Sequence, residues 1–149
     1  MSCALTKGFT LGCKEFAGGV KELKFKAFPI DIADYTIGAN NVVTIAANSQ
    51  TKWYRYELRE EVASLTDTAT ANPQNATLFY TTEIKFFLEN LNSDNSEELH
   101  LLAKNNLLVA VQTNAGKCFL VGLPRGADVT AIAAQTGTAF GDKYGYDVT

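Results

Sequence analysis

The chain has 149 residues, of which 46% are hydrophobic and 19% charged, a composition typical of a globular protein rather than a disordered one. This length predicts a single domain spanning residues 1–149. The formal net charge of −3, without a cluster of Lys and Arg, argues against a protein that binds nucleic acid through its phosphates.

Two strands are predicted in the first third of the chain. In residues 23–27 apolar side chains alternate with charged ones, and this period of two is typical of a half-buried strand. Pro29 is expected to end the strand, because proline cannot donate a backbone hydrogen bond. An Asn-Asn pair at 40–41 predicts a turn before the β-branched run 42–45.

A long antiparallel hairpin is predicted in the middle of the chain. Its arms are two alternating segments, "KWYRYELRE" at residues 52–60 and "LFYTTEIKFFL" at residues 78–88. Between them lies "SLTDTATANPQNAT", residues 64–77, with Asn72-Pro73 as its strong breaker. We expect residues 64–77 to form a tip that projects beyond the domain and has little core of its own.

One helix is predicted after this hairpin. Asp94 is expected to cap it, with Glu97 completing a capping box. The Asn-Asn pair at 105–106 is expected to end the helix in the left-handed conformation. The apolar stripe that would face the core has the spacing i, i+3, i+4 and comprises Leu99, Leu102 and Ala103.

The last third of the chain predicts more strands. The segment "LLVAVQTNAGKCFLVGL" predicts a hairpin that turns at residues 113–116 and is covered on both faces, one of them by the helix. Residues 124–137 predict a loop with a short helical turn at 131–134. Alternation predicts a final strand with Tyr144, Tyr146 and Val148. The expected fold is therefore one mostly-β domain with a single helix packed on it.

Residues that could carry catalysis are sparse, and we expect neither an enzyme nor a cofactor. The one histidine, His100, lies on the polar side of the predicted helix and is expected at the surface. Glu60 and Glu61 are adjacent, so on a strand they would point to opposite faces rather than act as a pair. The glycines of the first nineteen residues match no phosphate-binding motif.

The three cysteines are predicted to be free thiols. The start of the chain lacks the basic and apolar regions of a secretory signal, and no apolar run approaches the ~18–20 residues that cross a bilayer. We therefore expect folding in a cytosol and no membrane partner. Cys3, Cys13 and Cys118 are odd in number and lack zinc-site spacing, so no metal is expected.

Three aromatic residues raise the alternative of a carbohydrate-binding adhesion module. Trp53, Tyr54 and Tyr56 could stack on sugars, but Trp53 lies on the opposite strand face from the two tyrosines. Packing in a core or an interface is the favoured interpretation.

Five segments together resemble a known family of small virion proteins. They are "CALTKGFTLGCKEFAGGVKELKF", "KWYRYEL", "LFYTTEIKFFLENL", "LLAKNNLLVAV" and "TGTAFGDKYGYDV". The chain is similar to the tail tube (major tail) proteins of tailed bacteriophages, particularly those that infect Bacteroidetes-type hosts. The resemblance runs from Cys3 to Val148 and includes the order of the predicted elements.

The resemblance implies a structural protein with a tail-tube-like β-sandwich or barrel, one flanking α-helix and a long protruding β-hairpin. Six copies would form a ring, and rings would stack into a hollow tube in the virion tail, assembled in the host cytoplasm. Genomic DNA and the tape-measure protein would pass through the lumen. Sheath, baseplate and connector proteins are further candidate partners.

The resemblance also implies which segments make contacts. The family's hairpin reaches toward the next ring and its terminal segments bridge subunits, so we expect these roles for the tip, residues 64–77, and for an N-terminal arm, residues 1–19. The alternative is another virion component, namely a head–tail connector, a terminator or a baseplate protein. The expected contact residues are Leu65, Thr66, Thr68, Thr70, Asn72 and Pro73 in the tip, and Phe9, Leu11 and Phe16 in the arm.

Overall fold

The computed structural model describes residues 3–28, 35–45, 53–123 and 125–149. Over these ranges the fold is mostly β with one α-helix, which confirms the predicted fold class. The elements are β1 (Val20–Ala27), β2 (Tyr35–Ile37), a single 3-10 turn (Ala39–Asn41), β3 (Val43–Ile45), β4 (Tyr54–Glu57), β5 (Ala63–Asn72), β6 (Thr77–Glu89), α1 (Ser93–Lys104), β7 (Leu107–Thr113), β8 (Cys118–Val121), β9 (Ile132–Gln135) and β10 (Gly145–Val148).

Two four-stranded antiparallel sheets share one hydrophobic core. The first sheet has the order β4–β1–β7–β8 and the second has the order β5–β6–β10–β9, while β2 and β3 form a separate ribbon. The apolar residues that alternate along β1 face the same core as those of β6 and β10. Each fully buried Leu, Val or Phe in this core contributes about 1.5–3 kcal/mol. The core includes Leu23, Phe25, Val109 and Val111 of the first sheet and Phe86, Tyr146 and Val148 of the second.

The helix begins and ends differently from the prediction. Asn92 is the N-cap, and its side-chain oxygen accepts a hydrogen bond from the backbone N–H of Asn95 at 2.7 Å. Asp94, the predicted cap, lies in the first turn, where its charge favours the helix dipole. Asn105 is extended rather than left-handed, and its side chain donates to the carbonyl of Leu101 at 2.9 Å. Asn and Asp cap helices about equally well, so the sequence alone did not separate them.

One face of α1 packs on the sandwich, as predicted. Leu99 and Leu102 are buried in the shared core, whereas Ala103 is exposed. The hydroxyl of Tyr146 donates to the carbonyl of Asn92 at 3.1 Å and is also hydrogen-bonded to the hydroxyl of Ser96. These contacts fix the start of the helix to strand β10.

The long hairpin exists, but its strands are not the predicted pair. The segment Tyr54–Glu57 pairs with β1 in the first sheet instead of forming the first arm of the hairpin. That arm is β5, which pairs with β6 from Ala63↔Phe86 to Asn72↔Thr77. The expected tip at 64–77 is therefore mostly paired strand, and the turn is confined to residues 73–76. The β-branched Thr residues that alternate along β5 favour a strand. The segment was not predicted as one because it has no row of large apolar residues on one face.

The remaining predictions for the C-terminal third have mixed outcomes. The β7–β8 hairpin and the final strand β10 are confirmed. The prediction that both faces of this hairpin are covered is wrong for β8, because Cys118 and Phe119 are exposed. The helical turn expected at 131–134 is wrong, since Ile132–Gln135 form β9 beside β10. Pro29, predicted to end the first strand, lies outside the described residues.

Candidate interaction surfaces

The β5–β6 hairpin extends beyond the core. The pair Leu65↔Ile84 still packs against the core, and in the next pair on the same face Thr82 donates its hydroxyl hydrogen to Asp67 at 3.0 Å. Every residue from 66 to 83 is exposed. The five β5 residues beyond Asp67 extend the hairpin by roughly 17 Å. Leu65 thus contributes to folding, whereas the outer hairpin is available to another molecule.

The two faces of this outer hairpin differ in chemistry. Directly paired residues in an antiparallel sheet share a face. One face carries Thr66, Thr68 and Thr70, so these three predicted contact residues lie together. Phe79, which pairs with Thr70 and is 57% exposed, lies on the same face. The opposite face carries the pairs Ala69↔Tyr80 and Ala71↔Leu78, in which the large side chains are exposed. In these two pairs a small residue beside a large one leaves an apolar strip open to a partner.

The turn at the end of the hairpin is held by its own hydrogen bonds. The side-chain oxygen of Asn72 accepts from the backbone N–H groups of Gln74 at 3.1 Å and Asn75 at 3.2 Å. The N–H of Ala76 donates to the carbonyl of Pro73 at 3.4 Å. Asn72 and Pro73, both predicted contact residues, therefore shape the turn and keep it exposed.

A groove of about 550 Å³ lies between the hairpin and the first sheet. Its floor is the edge of the hydrophobic core, and the threonine face of β5 forms one wall. Residues 127–130, which lead into β9, form part of the opposite wall. The apolar side chains that line it include Phe25, Ile84, Val109, Val121 and Val148.

The N-terminal arm carries large apolar side chains that the rest of the chain leaves exposed. Residues 3–19 contain neither helix nor strand, and all are exposed. Phe9 and Leu11 are each 94% exposed, and Phe16 is 73% exposed. The arm joins the sandwich at the β7–β8 turn, where the Asn114 side chain donates to the carbonyl of Gly18 at 2.8 Å. All three predicted arm residues are therefore unshielded by the rest of the chain.

A further exposed residue, Phe140, was missed by the sequence analysis. It is fully exposed in the loop between β9 and β10. The carboxylate of Asp142 accepts from the backbone N–H groups of Thr138 at 2.9 Å and Ala139 at 2.8 Å, which orders the loop around Phe140. The signal in the sequence was a lone aromatic residue among small ones in "TGTAFGD".

Acid is expected to loosen this loop. The backbone N–H groups of Thr138 and Ala139 hold the pKa of Asp142 below its ordinary value. The stabilisation is complete above the pKa of the unfolded chain and is lost as the pH falls through the lower pKa of the folded chain. In an NMR titration the carboxyl carbon of Asp142 should have a lower midpoint in the folded protein than in urea. Equal midpoints would contradict the hydrogen bonds described here.

The titratable groups singled out in the sequence lie at the surface, and the buried carboxylate among the described residues is paired. His100 is exposed, and Glu60 and Glu61 lie in an exposed turn. The buried carboxylate of Glu22 is paired with Arg55, with Oε2 at 2.6 Å from Nε, and with Lys24 at 3.6 Å. This arrangement satisfies a buried charge by pairing.

Candidate metal and sugar sites find little support in the geometry. Within the described ranges no group of three or more His, Cys, Asp or Glu side chains could hold a metal ion, and the three cysteines are free and exposed. Tyr56 packs on Phe25 with ring centroids 4.7 Å apart, and burial raises the pKa of Tyr56. Lys26 Nζ lies 5.8 Å from the centre of the Trp53 ring. Trp53, Tyr54 and Tyr56 therefore do not share one flat surface.

No helix in the part of the chain that the structure describes is long and apolar enough to cross a membrane. Comparisons with protein-family models, with curated proteins and with solved structures found no match to this chain.

Proposed function

We propose that this chain is a structural virion protein that forms the tail tube of a tailed bacteriophage. Six copies would form a ring, and stacked rings would conduct DNA during ejection. The resemblance of five segments between Cys3 and Val148 to tail tube proteins motivates this proposal. The fold class that the resemblance implies agrees with the mostly-β architecture and the one helix of the described ranges.

The observation that carries the proposal is apolar surface concentrated on two extensions. The arm exposes Phe9, Leu11 and Phe16, and the outer hairpin exposes Leu78 and Tyr80. Single apolar residues are common on protein surfaces, but contiguous apolar patches usually mark interaction sites. Extensions with little core of their own gain buried area by docking on another copy, which favours an assembling protein.

The sheet edges support assembly in the same way. Strands β4 and β8 end the first sheet, and β5 and β9 end the second. The unpaired N–H and C=O groups of an edge strand can pair with a strand of a neighbouring chain. Rings in which neighbouring sheets join would use these edges.

The charge fits a conduit for DNA. Each copy contributes a formal net charge of −3, so a tube made of this chain would be negative overall. Negative charge repels the DNA phosphates, which lets the duplex slide instead of binding to the wall. The tape-measure protein would occupy the same lumen before ejection.

Purified protein is expected to form rings and tubes as its concentration rises. Light scattering coupled to size-exclusion chromatography measures the mass, and negative-stain electron microscopy measures the ring symmetry and diameter. We expect sixfold rings and tubes of constant diameter. Monomers at every concentration and salt would contradict the proposal. A low copy number in virions would instead favour the connector, terminator or baseplate alternative.

Polar substitution of the arm is expected to weaken this assembly. The double variant Phe9→Asp/Leu11→Asp removes two exposed apolar side chains that we assign to contacts between copies. The matched control, Thr6→Asp/Thr10→Asp, adds the same charge to exposed polar positions of the same arm. Sedimentation should show at least about tenfold weaker association for the first variant only. Equal association of both variants would exclude an apolar role for the arm.

A further inference from the structure

We infer that Phe140 of one copy inserts into the groove beneath the β5–β6 hairpin of the next copy. This contact would join copies head to tail, and the inference rests on the proposed self-assembly. The occupant of the groove is thus a second copy of this chain, through one named side chain.

The loop that presents Phe140 is ordered before it meets a partner. The carboxylate of Asp142 accepts two backbone hydrogen bonds, and the N–H of Asp142 donates to the carbonyl of Ala139 at 3.1 Å. Gly137 has a φ of 67°, a left-handed conformation that begins the loop. A loop whose backbone is already ordered loses less conformational entropy on binding than a flexible one. Large apolar anchors in well-packed pockets also provide most of the binding energy at interfaces.

The groove has the shape and chemistry for an aromatic ring. Its volume of about 550 Å³ accommodates a phenyl ring with room for the flanking loop. Phe25, Val109 and Val148 of its lining are nearly inaccessible core residues, so the floor is apolar and well packed. Threonines on the hairpin wall offer methyl groups as well as hydroxyls.

Phe140 and the groove lie at opposite ends of strand β10. The loop with Phe140 runs directly into Gly145, which pairs with Glu89 and Gln135. The other end of the strand, at Val148, lines the groove. A contact between the projection of one copy and the pocket of the next is heterologous, because it joins two different surfaces. Each copy can use its projection and its pocket at the same time, so further copies can be added at both ends.

The hairpin direction agrees with this arrangement. Along β6 the turn lies beyond Phe86, which pairs with Val148, and the opposite end of β6 at Glu89 lies beside the start of β10. The hairpin therefore extends from the end of the sandwich that holds the groove. A copy that inserts Phe140 into this groove would lie against the threonine face of the outer hairpin, so one docking movement would bury the groove and that face.

The first arm of the test compares Phe140→Ala with Ile37→Ala. Both side chains are exposed, and Ile37 lies on the β2–β3 ribbon outside the proposed contact. Circular dichroism and thermal unfolding should match the wild type for both variants. Sedimentation should show at least about tenfold weaker association for Phe140→Ala. Ile37→Ala should associate as strongly as the wild type. Association of Phe140→Ala at the wild-type level would overturn the inference.

The second arm of the test locates the partner surface. The three native cysteines, all exposed, are replaced by Ser, and then Ala139→Cys and Asp128→Cys are made in separate chains. Ala139 is exposed and adjacent to Phe140, so the proposed anchor itself is kept. Asp128 is exposed on the groove wall opposite the hairpin. A short bis-maleimide should cross-link the two chains only when they are mixed. Cross-linking of Asp128→Cys to Phe9→Cys instead would place the arm in the groove and overturn the inference.

The outcomes separate this inference from the proposed function. If the wild-type protein assembles but the mixture gives no cross-link between Ala139→Cys and Asp128→Cys, the proposed head-to-tail contact is wrong, whereas the proposed tube is not affected. If the wild-type protein stays monomeric at all concentrations, the proposed function itself fails, and the inference with it.

Discussion

Shortening the β5–β6 hairpin is expected to abolish stacking of rings while leaving the monomer folded. In the variant, residues 69–80 are replaced by Asn-Gly, which closes the strands at the pair Thr68↔Thr81 with a two-residue hairpin turn. Leu65 and Ile84, which pack against the core, are retained. The removed residues are all exposed, so the free energy of unfolding should change by less than about 1 kcal/mol. Electron microscopy should show single rings instead of tubes.

Two controls separate the side chains of the hairpin from its length. Leu78→Thr/Tyr80→Thr keeps the full hairpin but removes its exposed apolar strip, and it should weaken stacking. Ile37→Thr replaces an equally exposed apolar residue outside the hairpin and should leave tubes unchanged. Tubes of ordinary length from the shortened protein would refute a role for the hairpin between rings.

Gly145→Ala is expected to destabilise the sandwich more than any exposed substitution. Gly145 is buried where β10 lies between β6 and β9. An added Cβ would collide with the carbonyl oxygen of Leu88 and lie 2.9 Å from Cζ of Phe87 and 3.0 Å from Cα of Glu89. Because backbone atoms of the neighbouring strand β6 must shift, we expect a loss of about 3 kcal/mol.

Urea unfolding followed by circular dichroism measures this loss as a lower midpoint with an unchanged slope. Gly141→Ala is the matched control, since a Cβ there would meet nothing within 4 Å and the residue is exposed. The control should remain within about 0.5 kcal/mol of the wild type. A wild-type midpoint for Gly145→Ala would show that β10 is not packed against β6 as described.

Partner choice among strands was not predictable from the pattern of side chains. The alternation in Tyr54–Glu57 correctly indicated a strand, but its neighbour is β1 and not β6. The alternation of side chains shows which face of a strand is buried. It does not show which neighbouring strand the backbone hydrogen bonds join, because every strand offers the same backbone groups. The Thr-rich run in β5 was not predicted as a strand because both of its faces are exposed to solvent beyond Leu65. It therefore lacks the alternation of apolar and polar residues that indicates a half-buried strand.

The sequence by itself determined the fold class, strand β1, the buried run in β7, the apolar face of α1 and the exposed arm. These features depend on local periodicity and composition, which act over a few residues. Only the tertiary structure decided that β4 is an edge strand of the first sheet and that residues 132–135 form a strand. It also decided that Phe140 and the groove lie at opposite ends of β10. Such features arise from contacts between residues far apart in the chain, and their free energies depend on neighbours that no local segment specifies.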